Sequence, residues 1–430
     1  MVTFRVIPHP AEEQVLQGQG LARVLYTVGA EGAAGESVPV FLGVVMDQSG
    51  SMSGSKLEAA KDALLHLLHQ VPPTDDVVVH ITLFSTSAHE LAPPITGRAL
   101  AGQMPELQRR IRRIDAGGST SLGSGLRVAM GAANYYPNYV RRVLMMTDGK
   151  QEGAEPISDA YQTAENLGRA GIRVDAWGVG NAWEADELRT IAHSTGGEAE
   201  AVPNARDLGD AVAELFADVQ STKASDVRLV LTTPKGTLIR SVRQVYPSVQ
   251  ERAASRLDEQ RWVIPIGSLT QEEPKFVVEL ETTPRNVGIS FRMLVPTVTY
   301  SQGGRDQTDE LGRDSWFFVR WVATPAEVRM DPELSRFTGE EEITSLSQEG
   351  FALLEMGAVE EATAKLNAAL RKAEQINSPQ VATLGAVVNP QTGRLVSTDA
   401  NAAVNKTGKL HTGKTGKLLA GTGKLPGKGS

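Results

Sequence analysis

The central part of this 430-residue chain alternates between strand-like and helix-like segments. The apolar run Val40–Met46 predicts a buried strand, and apolar residues recur with helical spacing over Lys56–His69. Further strand-like runs, separated by helical patterns, lie at Val77–Phe84, Val140–Thr147 and Ile172–Gly178. Strands that alternate with helices in this way pair in parallel, and the helices cover both faces of the sheet. The pattern therefore predicts an α/β domain with a doubly wound, mostly parallel sheet over residues 38–222.

The segments on either side of this domain follow other patterns. Over residues 223–323 apolar residues recur with a period of two between proline, glycine and acidic turns, which predicts an all-β sandwich. Residues 1–37 are also strand-like, and we expect them to join the sandwich, so that the α/β domain is inserted between β segments. Residues 324–380 return to helical spacing, and the amphipathic stretches Glu341–Glu355 and Val359–Ile376 predict a helical hairpin docked on the sandwich. A single tetratricopeptide-type helical pair is the alternative.

The last segment, residues 381–430, has low complexity. The motif Lys-Thr-Gly-Lys-Leu at 406–410 recurs at 414–418 and in part at 421–425. Six lysines and no acid follow Asp399, whereas the whole chain has a net charge of −8. So few apolar groups cannot offset the entropy of ordering the segment, which predicts a disordered basic tail.

The repeated threonines of this tail are candidate phosphorylation sites. Phosphorylation by a Ser/Thr kinase would create anions that a forkhead-associated-type phosphothreonine module can bind. The candidates are Thr407, Thr412, Thr415 and Thr422. A tail that only improves solubility is the alternative.

Three oxygen-rich segments are predicted to meet at one edge of the α/β sheet. The sequence Asp47-Gln48-Ser49-Gly50-Ser51 directly follows the first buried strand, the glycine-rich loop 117–121 opens a helix, and Asp148 follows the strand Val140–Thr147. Ligands of open α/β sheets bind beyond the carboxyl ends of the strands. Each segment alone is also an ordinary turn or helix cap. Together, in this order, they indicate a site for a hard divalent cation, which prefers oxygen ligands.

This pattern, Asp-x-Ser-x-Ser followed by a loop threonine and Thr-Asp-Gly, resembles the metal-ion-dependent adhesion site of von Willebrand factor A (VWA) domains. The resemblance covers roughly residues 38–222. It implies that one Mg²⁺, or alternatively Mn²⁺ or Ca²⁺, bridges to an Asp or Glu of a partner protein. The implied ligands are Asp47, Ser49, Ser51, Thr120 and Asp148. The whole chain is similar to bacterial VWA proteins of the calcium-activated chloride-channel-homologue type, although its sequence shows no membrane span.

The same residues give little support for catalysis. The chain has no cysteine, the strand ends bring no histidine, and Gly50–Gly54 lacks serine at the centre of Gly-x-Ser-x-Gly. Lys56 is interpreted as a residue of the helix surface. The arginines of 109–113 are interpreted as a solvated face without interleaved aromatics, so no nucleic acid partner is expected.

We therefore expect a cytoplasmic, metal-dependent protein-binding scaffold or adaptor that is not an enzyme. The start of the chain lacks the pattern of a signal peptide, in keeping with that location. The alternative is a non-catalytic subunit of a metal-dependent enzyme complex that works with an ATPase, as VWA domains do in chelatases.

Overall fold

The structure is a computed structural model that describes residues 2–31, 38–153, 155–180, 182–202, 207–302 and 305–416. The strands, in chain order, are β1 Thr3–His9, β2 Glu12–Leu16, β3 Leu21–Glu31, β4 Val40–Asp47, β5 Val77–Phe84, β6 Ala88–Thr96, β7 Val140–Thr147, β8 Ile172–Val179, β9 Ala199–Val202, β10 Ala224–Thr232, β11 Leu238–Tyr246, β12 Gln250–Glu251, β13 Ser255–Arg256, β14 Arg261–Leu269, β15 Lys275–Glu281, β16 Ser290–Gln302, β17 Arg305–Glu310 and β18 Phe317–Val322. The α-helices are α1 Ser55–Gln70, α2 Gly97–Arg112, α3 Leu122–Ala133, α4 Ile157–Arg169, α5 Ala185–His193, α6 Leu208–Gln220, α7 Pro332–Glu355, α8 Val359–Gln375, α9 Gln380–Val387 and α10 Ala403–Leu410.

The α/β domain is built on one sheet with the strand order β6-β5-β4-β7-β8-β9. All neighbours in it are parallel except β5 and the edge strand β6. Apolar side chains of α1, α2 and α6 form the core on one face, and those of α3, α4 and α5 form the core on the other. Because both faces are covered, β4 and β5 are buried along their whole length. The predicted doubly wound α/β fold is confirmed.

Two antiparallel sheets enclose a second core and form the sandwich. One sheet has the order β1-β3-β15-β11-β12, and the other has the order β13-β14-β10-β16-β18-β2, with β17 beside β16. The N-terminal strands thus enter both sheets, since β3 pairs with β15 and β2 pairs in parallel with β18. The α/β domain, which lies between β3 and β10 in sequence, is inserted into the sandwich.

The helices α7 and α8 form a hairpin that turns at Gly357, whose φ of +77° suits glycine. Helix α7 begins earlier than the predicted Glu341, because Asp331 accepts a hydrogen bond from the backbone nitrogen of Leu334 and caps its first turn. Phe337 of α7 packs on the outer face of the five-stranded sheet, against Leu25 and its neighbours. The hairpin therefore covers an apolar face of the sandwich.

The prediction of a disordered tail is wrong for residues 381–416, which include α9 and α10. Residues 417–430 lie outside the described part of the chain. We call residues 403–416 the C-terminal strap, because they join the α/β domain to the sandwich and the hairpin. In the first repeat Gly408 lies against Val387, and Leu410 is buried in the core under α3, α4 and α5. Composition alone did not predict an ordered strap, because the apolar surface that the strap covers belongs to other elements.

The second repeat anchors the strap through a buried ion cluster. The Lys414 ammonium lies 2.7 Å from Glu198 and 2.6 Å from Glu200, while the Thr415 hydroxyl donates to the backbone oxygen of Val245 at 2.6 Å. Burial raises the pKa of Glu200, but Lys414 and His411 together outweigh it and lower that pKa to about 2. Lys414 therefore offsets part of the negative charge of its two partners at the junction of the domains, and His411 lies 3.2 Å from Glu200 in the same cluster.

Substituting Lys414→Met should lower the free energy of unfolding by about 3 kcal/mol, because Glu198 and Glu200 lose their buried counter-charge. Lys406→Met, at the same position of the first repeat, should cost about 1 kcal/mol or less, since its partner Glu184 is 40% exposed. Urea unfolding at neutral pH measures both. Adding Glu198→Gln and Glu200→Gln to Lys414→Met should restore part of the loss. Equal effects of the two lysine variants would contradict the buried cluster.

Candidate metal centre

Two acidic side chains lie at the carboxyl ends of neighbouring parallel strands. Asp47 is the last residue of β4, and Asp148 directly follows β7, whose Met146 pairs with Met46. Both aspartates are fully buried at 0% exposure. An uncompensated carboxylate at such a position is costly, so the surrounding loops must supply donors.

A chain of hydrogen bonds connects four of the five predicted ligands. The carboxylate of Asp47 accepts a bond from the backbone nitrogen of Ser49 at 2.7 Å, and the hydroxyl oxygens of Ser49 and Ser51 are 3.1 Å apart. The Ser51 hydroxyl in turn donates to Asp148 Oδ1 at 2.7 Å. The alternating residues of Asp47-x-Ser49-x-Ser51 thus point their oxygens into one space, next to Asp148.

The fifth predicted ligand, Thr120, arrives on the loop that precedes α3. This loop is tied to the first one, because Gly50 N donates to Gly118 O at 3.0 Å. A Cβ atom at Gly149 would lie 2.9 Å from Thr120 Oγ1 and 3.5 Å from Ser51 Oγ. The two hydroxyls therefore converge over the α-carbon of Gly149, and the glycine leaves them room. All five predicted residues meet in one cluster.

Thr147, which the sequence analysis did not assign to the site, orients Asp47. Its hydroxyl donates to Asp47 Oδ2 at 2.5 Å and accepts a bond from Gly149 N at 3.1 Å. Burial, with a smaller contribution from Asp148, raises the pKa of Asp47 to about 6 against the hydrogen bonds from Thr147 and Ser49. The sequence feature that could have identified Thr147 is a hydroxyl residue at the end of a buried strand, directly before Asp-Gly.

Lys56 corrects another interpretation, since it is not simply a residue of the helix surface. Its ammonium forms an ion pair with Asp148 Oδ2 and lies 3.3 Å from the backbone oxygen of Ser51. The short 3₁₀ turn Gly50–Met52 leads directly into α1, so that the first turn of this helix lies beside the carboxylates. The cluster of oxygens thus already attracts a cation from its own chain.

The donor set fits a hard divalent cation. The two carboxylates and three hydroxyls are all oxygen ligands, which suit Mg²⁺ better than zinc, whose preferred ligands are nitrogen and sulfur. In the described ranges no three His, Asp or Glu side chains form a group that could hold a metal ion. A metal here would therefore depend on hydroxyl oxygens as well as on the two aspartates.

The predicted phosphorylation sites have a different environment from the one expected. Thr407, Thr412 and Thr415 lie in the C-terminal strap, where they are 2%, 8% and 6% exposed. A kinase could reach them only after the strap detaches, so the expected flexible setting is wrong for these three. Thr422 lies outside the described residues.

Comparison with known proteins identifies the family of the α/β domain. Residues 42–217 match the family model of the von Willebrand factor type A domain. The chain therefore contains a VWA domain, a common module of protein interaction and adhesion.

The chain matches only part of the length of its curated relatives. The chain is 26% identical over 227 residues to the uncharacterized protein sll0103 of Synechocystis sp., covering 50% of each chain. It is 25% identical over 197 residues to inter-alpha-trypsin inhibitor heavy chain H1 of Sus scrofa, covering 43% of this chain and 21% of that one. The chain thus spans half or less of the length of these relatives.

Solved structures share the whole architecture. A von Willebrand factor type A protein from Catenulispora acidiphila has a TM-score of 0.84 at 22% identity, covering 97% of both chains. The ArnB paralog VWA2 from Sulfolobus acidocaldarius has a TM-score of 0.60 at 15% identity, covering 98% of this chain and 99% of that one. The likeness is one of fold. In the described parts of the chain, no helix combines the length and apolar character needed to cross a membrane.

Substituting Gly149→Ala should weaken Mg²⁺ binding at least about tenfold, because the new Cβ displaces the Thr120 hydroxyl from the cluster. Titration calorimetry with Mg²⁺ or Mn²⁺ measures the affinity. Gly131→Ala in α3 is the matched control, since a Cβ there meets nothing within 4 Å. Unchanged affinity in Gly149→Ala would argue against Thr120 as a ligand.

Substituting Lys56→Met should strengthen Mg²⁺ binding about three- to tenfold, because the ion no longer competes with an ammonium for Asp148. The same titration measures it. Lys61→Met, whose partner is the exposed Glu58 on the same helix, serves as a control for loss of one positive charge. Equal gains in both variants would indicate a general charge effect and not competition at Asp148.

Proposed function

We propose that the chain is a metal-dependent protein-binding scaffold. In this proposal Asp47, Ser49, Ser51, Thr120 and Asp148 hold one Mg²⁺, and a bound Mg²⁺ supplies a coordination position for a carboxylate of a partner protein. The observation that carries the proposal is the convergence of these five oxygens beside the fully buried Asp47 and Asp148.

The number of donors supports binding of an outside ligand. Mg²⁺ binds up to six oxygen ligands in proteins, so five protein oxygens would leave a bound Mg²⁺ able to take a further ligand from outside. Ser51 is exposed, whereas Asp47, Asp148 and Thr120 are buried. The cluster is therefore reached from solvent on the side of the Ser51 loop, where an Asp or Glu of a partner can approach.

The groups beside the carboxylates favour binding over catalysis. Asp47 is held by Thr147 and Ser49, and Asp148 is held by Ser51 and Lys56. Hydroxyls and an ion-paired ammonium are poor general bases at neutral pH. The role of this set is to hold charge and geometry, as a docking site requires.

The rest of the fold presents the VWA domain from a rigid support. The N-terminal strands enter both sheets of the sandwich, and the C-terminal strap contacts the VWA domain through Lys406, Lys409 and Lys414. The chain that enters the domain after β3, the chain that leaves it from α6 into β10 and the strap together limit rotation of the domain, which favours a scaffold role in which the position of the metal edge matters.

A pull-down with the immobilised chain tests the proposal. Partner proteins should bind the wild type in Mg²⁺. The amount of captured protein should fall at least about tenfold with chelator or with Asp47→Ala, since the metal bridge is then lost. Asp62→Ala removes an exposed aspartate of α1 that pairs with Arg112, and it should leave binding unchanged. Circular dichroism of each variant checks the fold.

The identity of the recovered proteins separates the outcomes. A partner whose own Asp or Glu is needed for capture supports the docking role. An ATPase captured as the main partner would instead favour a subunit of an enzyme complex of the chelatase kind. If chelator and Asp47→Ala leave the set of bound proteins unchanged, a metal bridge plays no part in recognition.

A further inference from the structure

A second cavity lies on the sandwich, outside the VWA domain. It has a volume of about 510 Å³ and opens where β10 ends beside β16. Strand β16 continues past Thr232, the last paired residue of β10, and pairs there with β18. The cavity is therefore lined by the end of β10 and by β16, β18 and the loops that precede these two strands.

Three arginines line this cavity without any carboxylate. Arg285, Arg292 and Arg313 all belong to the lining, which contains no Asp or Glu. Within the described ranges, none of these three arginines forms an ion pair. In a chain with a net charge of −8, such a local excess of positive charge is unusual and is left uncompensated by the protein itself.

Aromatic rings hold the three guanidinium groups in place. Arg292 stacks on Trp316 with 4.8 Å from its guanidinium carbon to the ring centroid, and Arg313 and Arg285 lie 5.7 and 5.0 Å from the rings of Phe318 and Phe291. A guanidinium group stacked by its face keeps its edge free to donate hydrogen bonds. The stacking therefore lowers the entropy lost when these donors bind an anion.

Another donor in the lining also has no partner. The indole nitrogen of Trp316 has no hydrogen-bond acceptor among the described residues. By contrast, Gln260 of the same lining already donates to the backbone oxygen of Thr233 at 3.0 Å. The Trp316 indole nitrogen and the guanidinium groups of the three arginines are thus donors of the lining that have no hydrogen-bond partner within the part of the chain that the structure describes.

We propose that this cavity binds a small multivalent oxyanion, one that carries two or more phosphate or carboxylate groups. Planar guanidinium groups match such oxygens in bidentate pairs, and several arginines together favour several negative charges. The bound anion would relieve the repulsion among the three arginines. This site is separate from the metal cluster and goes beyond the proposed docking function.

Titration calorimetry with two probes tests the site, using inorganic pyrophosphate for phosphate groups and citrate for carboxylates. The protein is made metal-free on a chelating resin and not with a soluble chelator, which is itself a polyanion. Ionic strength is kept constant. The wild type should bind at least one probe at one per chain, and the probe that binds more tightly identifies the chemistry of the natural ligand.

The double substitution Arg292→Gln and Arg313→Gln should weaken that binding at least about tenfold, since two charged hydrogen-bonding groups are lost. Arg256→Gln is the matched control, because Arg256 stacks on Trp262 in the same sheet at 5.5 Å but does not line the cavity. It should bind like the wild type. Asp47→Ala should also bind like the wild type, which separates this site from the metal cluster.

Three results would overturn the proposal. One is that neither pyrophosphate nor citrate binds at one per chain. A long polyglutamate peptide, tested as a third probe, that binds when these two do not would count as the same result. The second is an equal loss in Arg256→Gln, which would indicate general attraction to basic residues. The third is full binding by the double variant with an unchanged melting temperature, which would limit the arginines to covering the sandwich surface.

Discussion

Two buried carboxylates at the ends of neighbouring parallel strands impose the strongest requirement on this structure. Asp47 and Asp148 have no exposed surface, and burial together with the nearby Asp148 raises the pKa of Asp47. The Ser49 backbone nitrogen and the hydroxyls of Ser51 and Thr147 donate hydrogen bonds to these carboxylates, and Lys56 of α1 forms an ion pair with Asp148. The glycine at 149 is part of the same solution, because it leaves space for the hydroxyls to converge.

The C-terminal strap meets the same requirement elsewhere, again with a lysine beside two buried carboxylates. There the lysine comes from the end of the chain, and Glu198 and Glu200 come from the last strand region of the VWA domain. Buried ions in each place need partners from distant parts of the sequence. As a consequence, an inserted VWA domain is tied to its sandwich both by the chain that enters it and by the chain's last described residues.

Sequence patterns predicted the elements whose own residues repeat. The strands β4, β5 and β7 were predicted nearly to the residue, because each is rich in apolar residues and buried on both faces over most of its length. No pattern predicted β6. This edge strand contains Pro93 and Pro94 and pairs along one side only. The early start of α7 was also missed, although Asp331 followed by proline is an ordinary helix start.

The residues of the candidate metal site and the edge of the sheet where they meet were predictable from the sequence, because parallel strands bring all their carboxyl ends to one side. Only the tertiary structure decided what compensates their charge and what the lysine-rich repeats do. The pairs Lys56–Asp148 and Lys414–Glu200 join residues 92 and 214 positions apart. Contacts of that separation leave no periodic signal, and a disorder prediction that counts the apolar groups of one segment cannot include surface supplied by another.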